Sequence, residues 1–177
     1  MKFTETKLKG AYIIEPERLE DERGFFARTF CQKEFEAHGL NSSLVQCSIS
    51  YNKRKGTLRG MHYQVAPNAE VKLVRCTKGA IYDVIIDLRS DSPTFCQWIS
   101  VELNIENHRM LYIPEGFPHG FQTLEDDTEV FYQMSEYHAS EYARGVRWND
   151  PVFGIEWPEN TKIIISEMDL SYPLFVH

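Results

Sequence analysis

The chain has 177 residues, enough for one domain with its own core and too few for a second of comparable size. Its 19 Lys and Arg against 26 Asp and Glu leave a net charge of -7, which excludes a general nucleic-acid or anionic-membrane binder, since both need basic surface. With aromatic residues at 13% and charged residues at 25%, disorder, collagen and coiled coil are excluded too, and any anionic ligand must be held by a few local Arg and Lys side chains.

The N-terminal stretch Met1 to Leu8 has no apolar run resembling a signal peptide, and nowhere do roughly 18 apolar residues follow one another. Asp21-Glu22-Arg23-Gly24 reads as a turn, and Gln32 to His38 as a helix ended by Gly39. Next comes Gly56-Thr57-Leu58-Arg59-Gly60-Met61-His62-Tyr63-Gln64, polar and glycine-punctuated; within a strand His62 and Gln64 would share a face. Short runs rich in Val, Ile, Tyr and Phe then recur between turn signals: Val71 to Cys76, Ile81 to Leu88, Trp98 to Leu103, Met110 to Ile113 and Glu129 to Met134. Their close spacing predicts a single mainly all-β domain over residues 1–177, a sandwich or barrel with antiparallel strands. In Ile81 to Leu88 one face carries Tyr82, Val84, Ile86 and Leu88; the other carries Asp83 and Asp87 beside Ile81 and Ile85, and suits either solvent or a pocket inside a barrel. A second polar segment, Ile113-Pro114-Glu115-Gly116-Phe117-Pro118-His119-Gly120-Phe121, precedes the last of these strands, and a short turn is expected at Ser140 to Arg144. The four cysteines lie 16, 29 and 20 residues apart, too far for a zinc ribbon or redox motif, so reduced thiols in a cytoplasmic protein are expected.

The two polar segments resemble the two motifs of the cupin jelly-roll barrels. Gly56, His62 and Gly79 follow the first motif, and Pro114-x-Gly116-x-x-His119 the second. Metal-binding cupins place a second His and a Glu where this chain has Gln64 and Lys72. A cation and an amide are poor company for a divalent ion, so no metal is expected, although Glu70 lies nearby. More of the chain, from Gly10 to about Pro173, is similar to the nucleotide-sugar 3,5-epimerases typified by dTDP-4-dehydrorhamnose 3,5-epimerase. The further matching segments are Asp21 to Phe26, Lys72-Leu73-Val74-Arg75, Trp148-Asn149-Asp150-Pro151 and Ser166-Glu167-Met168-Asp169.

That resemblance implies a cupin-type jelly roll with one or two short helices, working without metal or redox cofactor on a nucleoside-diphosphate 4-keto-6-deoxyhexose in deoxysugar biosynthesis for surface polysaccharide. It makes His62 the base that removes a proton beside the C4 ketone, Asp169 its partner, Tyr132 the donor on the opposite face and Lys72 the stabiliser of the enolate oxygen. Arg23 and Arg59 would hold the diphosphate, with His119 near the diphosphate or sugar and Phe26 in the binding site. The types fit independently: a His fixed by a carboxylate suits a base, and Arg forks suit a diphosphate. It also implies a homodimer with exchanged N-terminal strands, Phe25 or Arg28 reaching the neighbour's site.

The departures from the family pattern cluster at the nucleobase. Arg28 replaces a Glu, Ser48 an Asn in the Gln46-x-Asn pair, and His138 a stacking Tyr, with Tyr137 beside it as a substitute; Ala143 and Met168 replace a Glu and a Lys. Arg28 can only donate, which suits cytosine N3 better than thymine N3–H. A CDP-linked sugar, inversion at C3 or C5 alone, and a non-catalytic sugar-nucleotide-binding cupin are therefore carried as alternatives. A metal-dependent cupin oxygenase or isomerase is the further rival.

Overall fold

The computed structural model describes residues 1–158 and 162–176. Two antiparallel sheets form a jelly-roll sandwich. The first has six strands, in the order β1 (Lys2–Glu5), β2 (Tyr12–Glu15), β10 (Met110–Ile113), β7 (Lys72–Lys78), β12 (Thr128–Met134) and β5 (Gln46–Asn52). The second has five, in the order β13 (Ala143–Gly145), β6 (Leu58–Gln64), β11 (His119–Thr123), β8 (Ala80–Ile86) and β9 (Trp98–Asn104). A separate hairpin, β3 (Arg18–Asp21) and β4 (Gly24–Ala27), stands apart from both.

Period-2 alternation explains which side chains enter the sandwich. From β7 and β12, Val74, Cys76 and Val130 face Ile81, Ile85, Val101 and Phe121 of the second sheet, forming the inner core. The opposite faces are covered as well. Helix α1 (Gln32–Ala37) presses Phe35 onto Leu73, Met110 and Tyr112, and ends where Gly39 takes φ +70. On the far side, Val146, Phe153 and Trp157 cover Leu58, Met61, Val84 and Ile86.

This double covering resolves the ambiguous strand Ile81 to Leu88. Its apolar face packs beneath the C-terminal part of the chain, and its half-polar face is barrel interior, where Asp83 is wholly buried. The strand runs Ala80–Ile86; Asp87 follows it, buried and held by Arg89, Ser92 and Thr94. The turn expected at Ser140 to Arg144 covers Ser140 to Tyr142 only, since Ala143 and Arg144 already belong to edge strand β13. The second helix, for which the sequence offered no position, is α2 (Glu167–Ser171), capped by the Ser166 hydroxyl accepting from the Asp169 N–H.

Candidate active site

One end of the sandwich is open. Register explains why: Lys72, Met134 and Gln46 form one row across β7, β12 and β5, and Val74, Tyr132 and Ser48 the next. Lys72, Tyr132 and Ser48 put polar groups there, where the core behind them is largely apolar. The resulting cavity of about 450 Å³ is lined by Ser48, Arg59, His62, Lys72, His119, Tyr132 and Asp169, together with Ser50, Phe121 and Met168.

Strict alternation would send Arg59 and His62, three apart, to opposite faces of β6. Between the pairs Arg59↔Phe121 and His62↔His119 the register slips, β6 spending three residues on two of β11. The slip turns Met61 outward into the covering layer and leaves both polar side chains facing the cavity. It needs two glycines. A Cβ on Gly60, at φ +135, would lie 2.5 Å from the Gly120 Cα, and one on Gly120 would lie 2.7 Å from the Arg59 carbonyl oxygen.

His62, Asp169, Lys72, Arg59 and His119 each have a partner that fixes them. The His62 Nε2–H donates to Asp169 Oδ1 at 2.6 Å, which leaves Nδ1 as the basic nitrogen of the ring. Burial alone would push the Asp169 carboxyl up, but His62, the Gly60 N–H and Ser166 together hold it below its ordinary value, so it remains a carboxylate. Lys72 sits between Glu70, 3.2 Å away, and the His62 carbonyl oxygen, also at 3.2 Å. The Arg59 Nε–H donates to Asn52 Oδ1 at 2.8 Å, and buried Asn52 donates in turn to the backbone of Ser50 and Thr128. His119 pairs through Nε2 with Asp83 Oδ1 at 2.6 Å and meets the Tyr132 ring edge-on, with centroids 5.9 Å apart. Burial, reinforced by the charge of Asp83, pushes the Tyr132 phenol far above its ordinary value, while burial also raises the Asp83 carboxyl.

Asn52 carried no signal in the sequence. Asp83 stood on the half-polar face of its strand without a role, and Glu70 was noted only as a neighbour of the cupin ligand positions, where the structure makes it the ion-pair partner of Lys72. Of the nucleobase group, Gln46 and His138 are joined, the His138 N–H donating to Gln46 Oε1 at 3.0 Å beside the Lys72 row. Tyr137 is exposed next to them. Arg23, Phe26 and Arg28 do not line the cavity. Arg23, its side chain 89% exposed, pairs with Asp21 at the hairpin turn, and Phe26 is 74% exposed. Arg28 donates to Glu34 at 2.8 Å in a groove that Phe26 and Leu19 also line.

Gln64 shares the inward parity of His62, yet its amide is spent on the Asn68 and Tyr137 carbonyls and the Ala139 N–H. With Lys72 opposite, the cupin ligand positions do not make a metal site, and among the described residues no group of three or more His, Cys, Asp and Glu is arranged to hold an ion.

A family model described as dTDP-4-dehydrorhamnose 3,5-epimerase matches residues 5–177. The dTDP-4-dehydrorhamnose 3,5-epimerase of Shigella flexneri is 43% identical over 177 residues, covering 99% of this chain and 97% of that protein. A crystal structure of the enzyme of that name from Bacillus anthracis, with TDP and PPi bound, aligns with a TM-score of 0.94 at 45% identity over 98% of this chain and 99% of that one. The dTDP-6-deoxy-D-glucose-3,5-epimerase of Legionella pneumophila, in complex with dTDP-4-keto-L-rhamnose, aligns with a TM-score of 0.92 at 37% identity over 98% and 92% of the two chains.

Proposed function

The chain belongs to the dTDP-4-dehydrorhamnose 3,5-epimerase family, and on that premise we propose that it is an isomerase inverting C3 and C5 of a dTDP-linked 4-keto-6-deoxyhexose. The observation that carries this reading is the convergence of the His62–Asp169 pair, Lys72 and Tyr132 on one cavity.

The C4 ketone acidifies the hydrogens at C3 and C5, because the electrons of a broken C–H bond move onto O4 as an enolate. His62 Nδ1 takes the proton, and the Asp169 carboxylate meets the imidazolium that forms. Lys72 offers an ammonium to the charge on O4. Tyr132 then protonates the carbon from the other face. Its burial keeps the phenol protonated until the strongly basic enolate carbon arrives. Exchange with water returns the surplus proton of His62 and restores that of Tyr132. No electrons change hands with a cofactor, since only configuration changes.

Arg59, held in place by Asn52, is suited to the diphosphate, with His119 completing that wall. Arg23, Phe26 and Arg28 are assigned to the substrate bound by a second copy. The β3–β4 hairpin supports a homodimer, because it projects Leu19, Phe25 and Phe26 into solvent with Arg23 at its tip. The nucleotide is read as thymidine diphosphate. Arg28 is already paired with Glu34, so a carboxylate acceptor for thymine N3–H is still present in that corner. Cytoplasmic residence fits four cysteines that are all free, and among the described residues no helix is long and apolar enough to cross a membrane.

Incubation of dTDP- and CDP-linked 4-keto-6-deoxyhexoses with the protein in deuterated water, followed by NMR, tests the reading. Deuterium is expected at both C3 and C5 of the dTDP sugar, with inversion. No exchange with either sugar would overturn the epimerase assignment, and preference for the CDP sugar would overturn the nucleotide.

A further inference from the structure

The segment Trp148-Asn149-Asp150-Pro151 matches the family pattern yet lies outside the cavity, and so does Gly145, although it stands opposite His62 in the β13–β6 register. Both meet the same part of the chain, residues 162–176, which carries Asp169.

Asp169 rides on α2, a helix of five residues, too short to hold its own position. Upstream the segment is tied by a short parallel bridge: the Leu58 N–H donates to the Ile164 carbonyl oxygen at 2.8 Å, and the Ile164 N–H to that of Gly56 at 2.9 Å. Downstream, the Tyr172 ring lies against Gly145 so closely that a Cβ there would fall 2.2 to 2.5 Å from three ring carbons. Gly145 does not have a positive φ, so its missing side chain serves space and not backbone freedom. The same ring meets the His62 imidazole edge-on, with centroids 5.8 Å apart. Further along, the Phe175 N–H donates to Asp150 Oδ2 at 2.5 Å, while Oδ1 of this buried carboxylate accepts from Val152 at 2.9 Å.

We propose that residues 162–176 are a strap that sets the aim of Asp169, and that Tyr172 seated on Gly145, with Asp150 behind it, are positioning residues for the base. The chemistry needs them because the His62–Asp169 bond joins residues 107 apart in sequence through a helix with few contacts of its own. An ångström of drift in α2 would release the Nε2–H and leave the imidazole free to turn. This inference rests on His62 being the base.

The test is steady-state kinetics of Tyr172→Ala, Gly145→Ala, Asp150→Asn and Tyr172→Phe, with the dissociation constant for dTDP and the downfield proton resonance of His62 Nε2–H. Tyr172→Ala and Gly145→Ala are expected to lower kcat on the order of 10- to 100-fold, to leave dTDP binding within about twofold, and to lose the downfield resonance. Asp150→Asn should fall between them and the parent. Tyr172→Phe keeps the ring and should match the parent in all three readouts. A kcat within about threefold of the parent in Tyr172→Ala, or a retained downfield resonance beside a lowered kcat, overturns the strap; if Gly145→Ala does not fold, Tyr172→Ala and Tyr172→Phe decide alone. His62→Ala in the same series separates the two readings, because solvent exchange surviving in it refutes the base itself, whereas its loss beside a normal Tyr172→Ala refutes only the strap.

Discussion

In the His62–Asp169 pair the imidazole side chain is 35% exposed and the carboxylate 5%, whereas in the His119–Asp83 pair the values are 4% and 0%, at the same 2.6 Å separation. The first pair joins the open end of β6 to a short helix near the C-terminus; the second joins neighbouring strands of one sheet, β11 and β8. One ring nitrogen of His62 remains free to meet a substrate, and its carboxylate is supported by donors on several sides. Asp83 has the opposite setting, with Oδ2 buried and unpartnered and burial driving its carboxyl up. The pair nearer solvent can lend its charge to a reaction, while the deeper pair, although His119 reaches the cavity wall, weighs more on the stability of the sandwich.

Removing His62 should give the largest effect on rate. His62→Ala is expected to abolish solvent exchange at the substrate carbons, a loss on the order of a thousandfold, with little change in melting temperature. Asp169→Asn should lower kcat by on the order of a hundredfold at a stability cost of about 1 kcal/mol, read by urea unfolding. His119→Ala, which also takes a side chain from the cavity wall, is expected to weigh more on stability: it leaves the buried Asp83 with no hydrogen bond at either oxygen, which costs about 1–3 kcal/mol in the same unfolding experiment. If His119→Ala unfolds like the parent while Asp169→Asn does not, the division between the pairs is wrong. Tyr132→Phe sharpens the mouth side: exchange at the carbon should persist while net inversion nearly disappears, since the base still works and the opposite-face donor does not.

Sequence patterning reached the mouth pair more easily than the interior one. His62, Lys72, Tyr132 and Asp169 carry chemistry in their residue types, and their joint occurrence within several ordered segments was legible before any geometry. Asp83 was half legible, as the polar face of a strand whose other face was plainly core, but period 2 cannot say whether such a face meets water or the inside of a barrel. Arg59 beside His62 ran against period 2, and only the register slip at Gly60 reconciles them; a glycine inside a strand was its trace in the sequence. Arg23, Phe26 and Arg28 were found as residues yet lie away from the cavity, Phe26 and Arg28 in a separate groove, because residue type alone does not say where a hairpin stands relative to the sheets. The helix bearing Asp169 was missed because five residues are too few to display a helical period.

Asp83 and Asp87 share one face of the chain and are shifted in opposite directions, which gives the smallest but cleanest test of interior against edge. Burial would raise both carboxyls. For Asp87 it is outweighed by the Arg89 guanidinium and the hydroxyls of Ser92 and Thr94, which bring it from 3.8 to about 2. Between those values the folded protein binds fewer protons at Asp87 than the unfolded chain does, so stability falls as pH falls through that window, by roughly 2 kcal/mol in all. Asp83, pushed up, has the opposite sign and loses nothing when it is protonated in acid. Urea unfolding at pH 4 and at pH 2 should therefore show a loss in the parent that shrinks by roughly 2 kcal/mol in Asp87→Asn and persists in Asp83→Asn. The reverse result would mean that the interior carboxylate, and not the one clasped by Arg89, is the charged one on which folding depends.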